Sequence, residues 1–330
     1  MGFYAGTRVF EDFSIGTPLD RGGALADRNG VCYRNFSVKN EEAHIVKAVA
    51  FTKMHGLGND YLYIDRRDSL DSVDYHDLAI KMSDRHFGVG GDGIIVILRS
   101  ERADAKMRIF NADGSESEMC GNGLRALAKW FYDRAQLGAK QAIETGAGIL
   151  YPEIIEVDHN HRARKIKVNM GPPHLTRSEI GMTEGDPQDT CWDVPLEVNG
   201  QTFDISCVSM GNPHAMIFGD VWDQETMAAI GRHIEHHPWF PKRINVHAVQ
   251  VLDRSHLKMR HWERGAGLTL ACGTGVAATV VAAVATGRTD RSVTVDVPGG
   301  RLEAEWDQTS NVVFLTGPAV EVCEGVFALR

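Results

Sequence analysis

The spacing of apolar residues divides this chain into short strands around two contrasting helices. Leu124, Leu127, Ala128 and Phe131 fall at the i, i+3, i+4, i+7 spacing of a helical stripe. That pattern predicts a helix running to about Gly138. The run from Val276 to Ala285 is apolar on nearly every face, which predicts a fully buried helix. Weaker helical signals occur around Leu78, Ile80 and Met82 and over residues 224–233. Between them, residues 61–65, 94–98, 107–110, 203–209, 215–218, 246–252 and 257–262 read as strands. So do 143–155, 165–170 and 192–198, which Gly and Pro interrupt, and 293–297, 301–306 and 312–315 near the end. The expected fold class is α/β (α+β), with two similar halves, each a strand-rich shell around one central helix.

The two helices open on matching runs, Cys120-Gly121-Asn122-Gly123 and Cys272-Gly273-Thr274-Gly275, 152 residues apart. Asn59 and Asn212, each in a Gly-Asn turn, are 153 apart. Asn111 and Glu263 each stand nine residues before their cysteine, and Gly148 and Gly300 are again 152 apart. Two unrelated glycine-rich runs would not keep their flanks in step, so the pattern reads as an internal duplication. Pro172-Pro173 punctuates the end of the first copy. The expected domains are 51–185, carrying Cys120, and 186–330, carrying Cys272. Residues 1–50 lie outside the repeat; a tag, a frayed extension and an extra docked strand all fit them, and they carry no recognisable chemistry.

With 330 residues, 43% of them hydrophobic, the chain can bury a substantial core and has the length of two domains. A net charge of −9 with no basic stripe argues against nucleic acid and against an anionic membrane surface. No apolar run reaches the length of a membrane span. The N-terminus lacks the basic-then-apolar layout of a secretory signal, so the reading is cytoplasmic. None of the six cysteines forms a CxxC pair. Cys32, Cys191, Cys207 and Cys323 read as free thiols packed as small hydrophobes.

Cys120 and Cys272 differ because each stands where a glycine-rich loop becomes a helix. The free N–H groups and dipole of a helix start favour an anion and lower a thiol pKa. One thiolate and one thiol suit a reaction that removes a proton from one face of a carbon and returns one to the other, inverting the stereocentre. The carbanion formed beside a carboxylate pushes charge onto its oxygens, which helix-start N–H groups can receive. Gly121 and Gly273 let the backbone approach closely. A redox disulfide would need the two Cα atoms within about 7 Å, but would have no use for two glycine-rich helix starts. A cysteine hydrolase could take His214 as its base, but would leave the second thiol without a role.

Asn59, Asn111, Asn212 and Asn245 lie in turns, where asparagine is common for local reasons. As a set near the cysteines they become candidate ligands for carboxylate and ammonium groups. Arg264 offers a bidentate fork for a carboxylate. His233, His236 and His237 lack an acidic partner and are read as solvent or packing residues, so no metal is expected. The 88–93 glycine cluster precedes a strand and lacks Gly-Lys-Ser/Thr, which argues against a phosphate loop. No pyridoxal-phosphate or dinucleotide fingerprint is present, and the expected chemistry needs no cofactor.

Residues 51–325 resemble the diaminopimelate epimerase family. The resemblance rests on Lys53-Met54-His55-Gly56-Leu57-Gly58-Asn59-Asp60, on Phe110-Asn111-Ala112-Asp113-Gly114-Ser115-Glu116 with Met119-Cys120-Gly121-Asn122-Gly123, and on Met210-Gly211-Asn212-Pro213-His214. It extends to Asn245-Val246, and to Trp262-Glu263-Arg264-Gly265-Ala266-Gly267 with Ala271-Cys272-Gly273-Thr274-Gly275. It implies interconversion of LL- and meso-diaminopimelate in lysine and cell-wall precursor synthesis. It also implies two pseudo-symmetric, mostly antiparallel domains that close over substrate, usually in a homodimer. By the family's pattern Cys272 is the base toward the LL form and Cys120 the acid. Asn59, Asn111, Asn212, Asn245 and Arg264 would hold the distal amino-acid end. Gly121-Asn122 and Gly273-Thr274 would hold the reacting carboxylate. His214 and Glu263 would tune the thiols, with Glu263 also near substrate. Two departures are Leu268, where many members have Glu, and Gly93, where some have a substrate-contacting Gln. Proline racemase-like and hydroxyproline epimerase enzymes share the two-thiol plan, but the several asparagines and Arg264 favour a substrate with a second polar end. A binding protein with dead chemistry on the same scaffold is disfavoured by the presence of both thiols.

Overall fold

The computed structural model describes residues 48–69 and 73–329; Cys32 and the expectations for residues 1–47 lie outside the described residues. The first repeat carries β1 (Ala48–Gly56), β2 (Asn59–Asp65), α1 (Tyr75–Ser83), β3 (Gly93–Leu98), β4 (Ala105–Asn111), β5 (Glu116–Ser117), α2 (Gly121–Asp133), β6 (Ile143–Thr145), β7 (Gly148–Leu150), β8 (Glu153–Val157) and β9 (Ala163–Asn169). After the single turn α3 (Arg177–Ile180) come β10 (Cys191–Val198), β11 (Gln201–Ser209), β12 (Pro213–Phe218), α4 (Gln224–Glu235), β13 (Asn245–Asp253), β14 (His256–Glu263) and β15 (Gly267–Leu268). Then α5 (Gly273–Ala285), β16 (Ser292–Val297), β17 (Gly300–Trp306), β18 (Val313–Gly317) and β19 (Val320–Ala328) close the chain.

The fold is mixed α+β, with two domains. Most strand pairs are antiparallel; β2/β3, β4/β6, β12/β13 and β14/β16 are parallel. A parallel pair needs a crossover, and the four helices α1, α2, α4 and α5 supply them in that order. Thus α2 and α5 fill the same slot in the two halves, each after a strand that ends at Asn111 or Glu263. The last glycine of each Cys-Gly-x-Gly run has a packing reason. A Cβ at Gly123 would stand 2.7 Å from Ile95 Cδ1, and one at Gly275 would stand 2.4 Å from His247 Cε1. Ile95 and His247 occupy matching places in β3 and β13, so each helix start is pressed onto its own sheet.

The sheets exchange strands across the division at 185/186. The first runs β19-β1-β2-β3-β4-β6-β7, and the second runs β10-β11-β12-β13-β14-β16-β17-β18-β9-β8. β19 is missing from the sequence reading because its apolar residues face outward: Val320, Val322 and Val326 are 45–62% exposed. Glu321 and Glu324 pair instead with Arg134 at the end of α2. A bulge opposite Lys53 and Met54 turns both carboxylates to that side.

The helix expected to reach Gly138 stops at Asp133, because Ala135 adopts a left-handed conformation (φ 52°) and Gln136 N–H closes back on Phe131. Ile80, expected on the apolar side of α1, is 42% exposed, whereas Leu78 and Met82 are buried. Cys323, expected to pack, is exposed; Cys191 and Cys207 are buried as an opposed pair on β10 and β11. Every described cysteine is a free thiol. Among the described residues no helix is long and apolar enough to cross a membrane.

The α2 stripe of Leu124, Leu127, Ala128 and Phe131 is wholly buried against both sheets. Phe131→Ala should cost about 3–5 kcal/mol, measured as a lowered urea midpoint with an unchanged slope. A loss under about 1 kcal/mol would show that α2 is not central to the core.

Candidate active site

Both Cys120 and Cys272 occupy the residue immediately before a buried helix, in extended backbone (φ −140° and −121°). Both line one cleft of about 1580 Å3 between the halves, together with Asn59, Asn111, Gly121, Asn122, Asn212, Glu263, Arg264, Gly273 and Thr274. The first turns of α2 and α5 approach closely: a Cβ on Gly273 would lie 3.7 Å from Asn122 Oδ1.

The thiol environments are unlike. Cys120 Sγ accepts from Gly123 N–H at 3.4 Å, and its thiol donates to Asn59 Oδ1 at 3.5 Å. Burial raises its pKa, against the Gly123 N–H, the Tyr61 hydroxyl and the Arg125 charge, which lower it. Cys272 Sγ is 3.7 Å from Thr274 Oγ1 and beside Glu263. Burial and then the Glu263 charge push its pKa well above the usual thiol value. The lowered thiol pKa expected at a helix start is therefore not found at either cysteine. The N–H groups do act in that direction, but desolvation of a sulfur anion outweighs them.

Glu263 is itself raised by burial, while bonds from Thr269 and Cys272 oppose the shift. Thr269 Oγ1 donates to its Oε1.

The amides are oriented by what lies behind them. Asn59 Nδ2 donates to Asp92 Oδ2 at 2.8 Å, and its Oδ1 accepts from Asn122 Nδ2 at 3.2 Å. Asp92 is in turn paired with Arg85 at 2.8 Å. Asn111 Nδ2 is taken by Ser115 and Ser117 Oγ at 2.9 and 3.1 Å, which leaves its carbonyl oxygen to act as an acceptor in the cleft. Arg264 lines the cleft, its Nη1 on the Lys242 carbonyl at 3.0 Å, and no carboxylate pairs with it among the described residues. A surface salt bridge is thus not its role.

His214 and Asn245 stand behind the cleft wall, not in it. Asn245 is spent on the frame: its Nδ2 donates to Pro213 O and its Oδ1 accepts Arg264 N–H, both at 2.9 Å. His214 Nε2 is 3.1 Å from Asn212 Oδ1, which can only accept, so Nε2 carries the proton. Its Nδ1 then accepts from His247 Nε2 at 2.9 Å. Asn212 is thereby left with its NH2 group as the free donor. Neither thiol is among the hydrogen-bond partners of His214. His247 faces His261 across β13 and β14. His236 and His237 make local bonds to the Arg232 carbonyl and the Trp239 N–H. Among the described residues no acidic, cysteine and histidine cluster could hold a metal.

The sequence reading passed over Tyr61, Asp92 and Arg125. Asp92 sits in the glycine cluster dismissed as a phosphate loop, and its position just ahead of a strand was the available signal. A side chain at Gly93 would meet the Phe110 carbonyl oxygen at 2.1 Å, so this backbone has no room for the family's Gln contact. Leu268, the other departure, lies on the cleft rim at 40% exposure.

The sequence profile of the diaminopimelate epimerase family matches residues 51–176 and 206–322. The chain is 48% identical over 282 residues to diaminopimelate epimerase 1 of Nostoc sp. strain PCC 7120, covering 84% of this chain and 99% of that relative. It is 47% identical over 281 residues to the diaminopimelate epimerase of Moorella thermoacetica, covering 84% and 99%. Among solved structures it resembles a Bacillus anthracis phenazine biosynthesis protein of the PhzF family, with TM-score 0.60, 22% identity, and 86% and 100% of the two chains covered. A hydroxyproline epimerase from Agrobacterium vitis superposes at TM-score 0.60 with 14% identity, covering 86% and 91%. At these identities the two structures show a shared fold and no more.

The buried histidines generate a pH test. Burial lowers His214 to about 3 and His261 to about 4, and lowers His247 well below its usual value. The unfolded chain takes up these protons near pH 6.5, before the folded one does. Stability from this row is therefore complete above about pH 6.5 and is lost as pH falls toward 4, by up to about 1.4 kcal/mol per pH unit per imidazole. His247→Gln should reduce the slope of unfolding free energy between pH 6.5 and 5 by about that amount. An unchanged slope in urea titrations would mean that His247 is not buried neutral.

Proposed function

Because the chain belongs to the diaminopimelate epimerase family, an isomerase family, we propose that it converts LL- to meso-diaminopimelate by a two-thiol, cofactor-independent mechanism. The observation that carries this reading is the pair of cysteines facing one cleft from the starts of two buried, symmetry-related helices. In the LL-to-meso direction the Cys272 thiolate takes the α-proton, and Cys120 returns its own proton to the opposite face. In the reverse direction the roles exchange, so no proton is lost overall. The reacting carboxylate lies between the first-turn N–H groups of α2 and α5, which receive charge as the carbanion forms. The distal amino-acid end is met by Arg264 and the Asn212 NH2 as donors to its carboxylate, and by the Asn111 carbonyl as acceptor from its ammonium. Asn245 and His214 hold Arg264 and Asn212 in place. Glu263 accepts the burden of tuning Cys272, and the supporting pathway role is lysine and peptidoglycan precursor synthesis in the cytoplasm.

Purified protein should epimerise LL-diaminopimelate without added cofactor and leave proline unchanged. Cys120→Ala and Cys272→Ala should each lower kcat by at least about 10³-fold, since each removes one proton-transfer group. Near-normal turnover by either variant would exclude the two-thiol mechanism. In D2O the product α-carbon should carry solvent deuterium, and unlabelled product would count against proton abstraction.

Arg264→Leu should raise KM for diaminopimelate about 10–100-fold, because a buried carboxylate would lose its charge-assisted bonds. A KM within twofold of the unaltered protein would remove Arg264 from the substrate site.

A further inference from the structure

Four side chains behind the cleft form a run of hydrogen bonds whose direction is fixed at both ends. At one end Arg125, 0% exposed in the second turn of α2, donates from Nη2 to Asn122 Oδ1 at 2.7 Å. A guanidinium has donors only, so Asn122 must turn its oxygen toward Arg125 and its NH2 group away. Asn122 Nδ2 then donates to Asn59 Oδ1 at 3.2 Å. At the other end Asp92 Oδ2 accepts from Asn59 Nδ2 at 2.8 Å and from the Asp60 N–H at 3.0 Å, while Asp92 Oδ1 accepts from Arg85 Nη2 at 2.8 Å. A turned Asn59 amide would set its oxygen against the Asp92 carboxylate and its NH2 group against the NH2 of Asn122. Both bonds would be lost together, so the orientation of Asn59 is determined by its neighbours.

Cys120 meets this run at its middle. Its Sγ lies 3.5 Å from Asn59 Oδ1, an atom that can only accept, so the sulfur is the donor and carries its proton. A thiolate in the same place would face an oxygen lone pair. The duplication supplies a contrast. Asn212, 153 residues further on, is held the other way round: His214 Nε2 takes its oxygen at 3.1 Å, and its NH2 group is left free at the cleft. At Asn59 the nitrogen is held from behind and the oxygen is presented to the thiol.

We propose that Asp92 is a positioning residue acting through Asn59: by holding the amide nitrogen it turns the amide oxygen onto Cys120 and keeps that sulfur a thiol in the resting protein. This rests on the two-thiol reading, and deepens it by naming the residue that keeps the proton on the acid before substrate arrives. The titratable groups that face Cys120 are Tyr61 and Tyr63 from β2, Arg125 from α2, and Asp92, which is paired with Arg85. Cys272 and Glu263 line the same cleft from the second repeat, and Glu118, two residues before Cys120, is exposed. Burial raises the Cys120 thiol, and the Gly123 N–H, the Tyr61 hydroxyl and the Arg125 charge oppose that rise without reversing it.

The test needs no substrate, so it is separable from the choice of diaminopimelate. Iodoacetamide alkylation of each cysteine is followed against pH, with the modified peptides resolved by mass spectrometry. In the unaltered protein the Cys120 midpoint should lie above the ordinary thiol value of about 8.5; a midpoint below it overturns the proposal. Asp92→Leu leaves the Asn59 nitrogen without its acceptor and frees the amide to turn its NH2 group to the sulfur. The Cys120 midpoint should then fall by at least about one pH unit, or roughly tenfold faster alkylation near neutrality, while Cys272 moves by less than about 0.3. Asp92→Asn removes the charge but keeps an oxygen for the two N–H donors, and should hold the Cys120 midpoint within about 0.3 of the unaltered protein. Equal falls in both variants would assign the effect to charge and refute the positioning role, as would an unmoved midpoint in folded Asp92→Leu. The unaltered protein at neutral pH should also show an infrared S–H stretching band that Cys120→Ala removes; its absence overturns the proposal even if no Asp92 variant folds. If diaminopimelate is not turned over but the midpoints behave as stated, the substrate assignment fails and the role of Asp92 stands.

Discussion

Everything at the site depends on two helices whose first turns are buried facing one another. A helix start brings N–H groups with no partner of their own, and burying such an end is unfavourable unless something accepts from them. At α2 the Cys120 sulfur takes one of these bonds; at α5 no side chain caps the first turn. Helix-start N–H groups thus border the cleft from opposite sides, an arrangement complementary to an anionic group. The same burial that creates these donors also desolvates the thiols. This is why neither sulfur is an easy anion in the open cleft.

The polar groups of the cleft are held from behind. Asp92 fixes Asn59, His214 fixes Asn212, Asn245 fixes the Arg264 backbone, and Arg125 fixes Asn122. Asn212 is the clearest case, its oxygen taken by His214 and its NH2 group left free at the cavity. Amides have no charge to lose, so they can be desolvated at modest cost once both ends are bonded. Preorganising them from behind keeps the cleft polar without crowding it with ion pairs.

The duplication gave two near-copies of one scaffold, and the chemistry lies where the copies differ. Ile95 and His247 are equivalent packing positions, one purely apolar and one part of the neutral histidine row. Asn111 and Glu263 end equivalent strands, yet one is an amide and the other a carboxylate against a thiol. Arg125 and Ala277 are equivalent helical positions, one charged and one apolar. The two thiols therefore sit in unlike surroundings, and burial raises both, Cys272 the more.

The sequence by itself determined the two cysteine helices, their offset, most strands and most of the residues lining the cleft, because these follow from local periodicity and from turn chemistry repeated at a constant distance. Periodicity carries no information about which face a strand presents when charged pairs beat apolar burial. β19 was therefore invisible, with its valines outward and Glu321 and Glu324 held by Arg134. Only the tertiary structure decided that His214 and Asn245 stand behind the wall, that Asp92 lines the cleft with Arg125 buried behind Asn122, and that burial raises both thiols. Each of these depends on contacts between distant strands and on the exclusion of water, and neither is written in the order of residues along a single stretch.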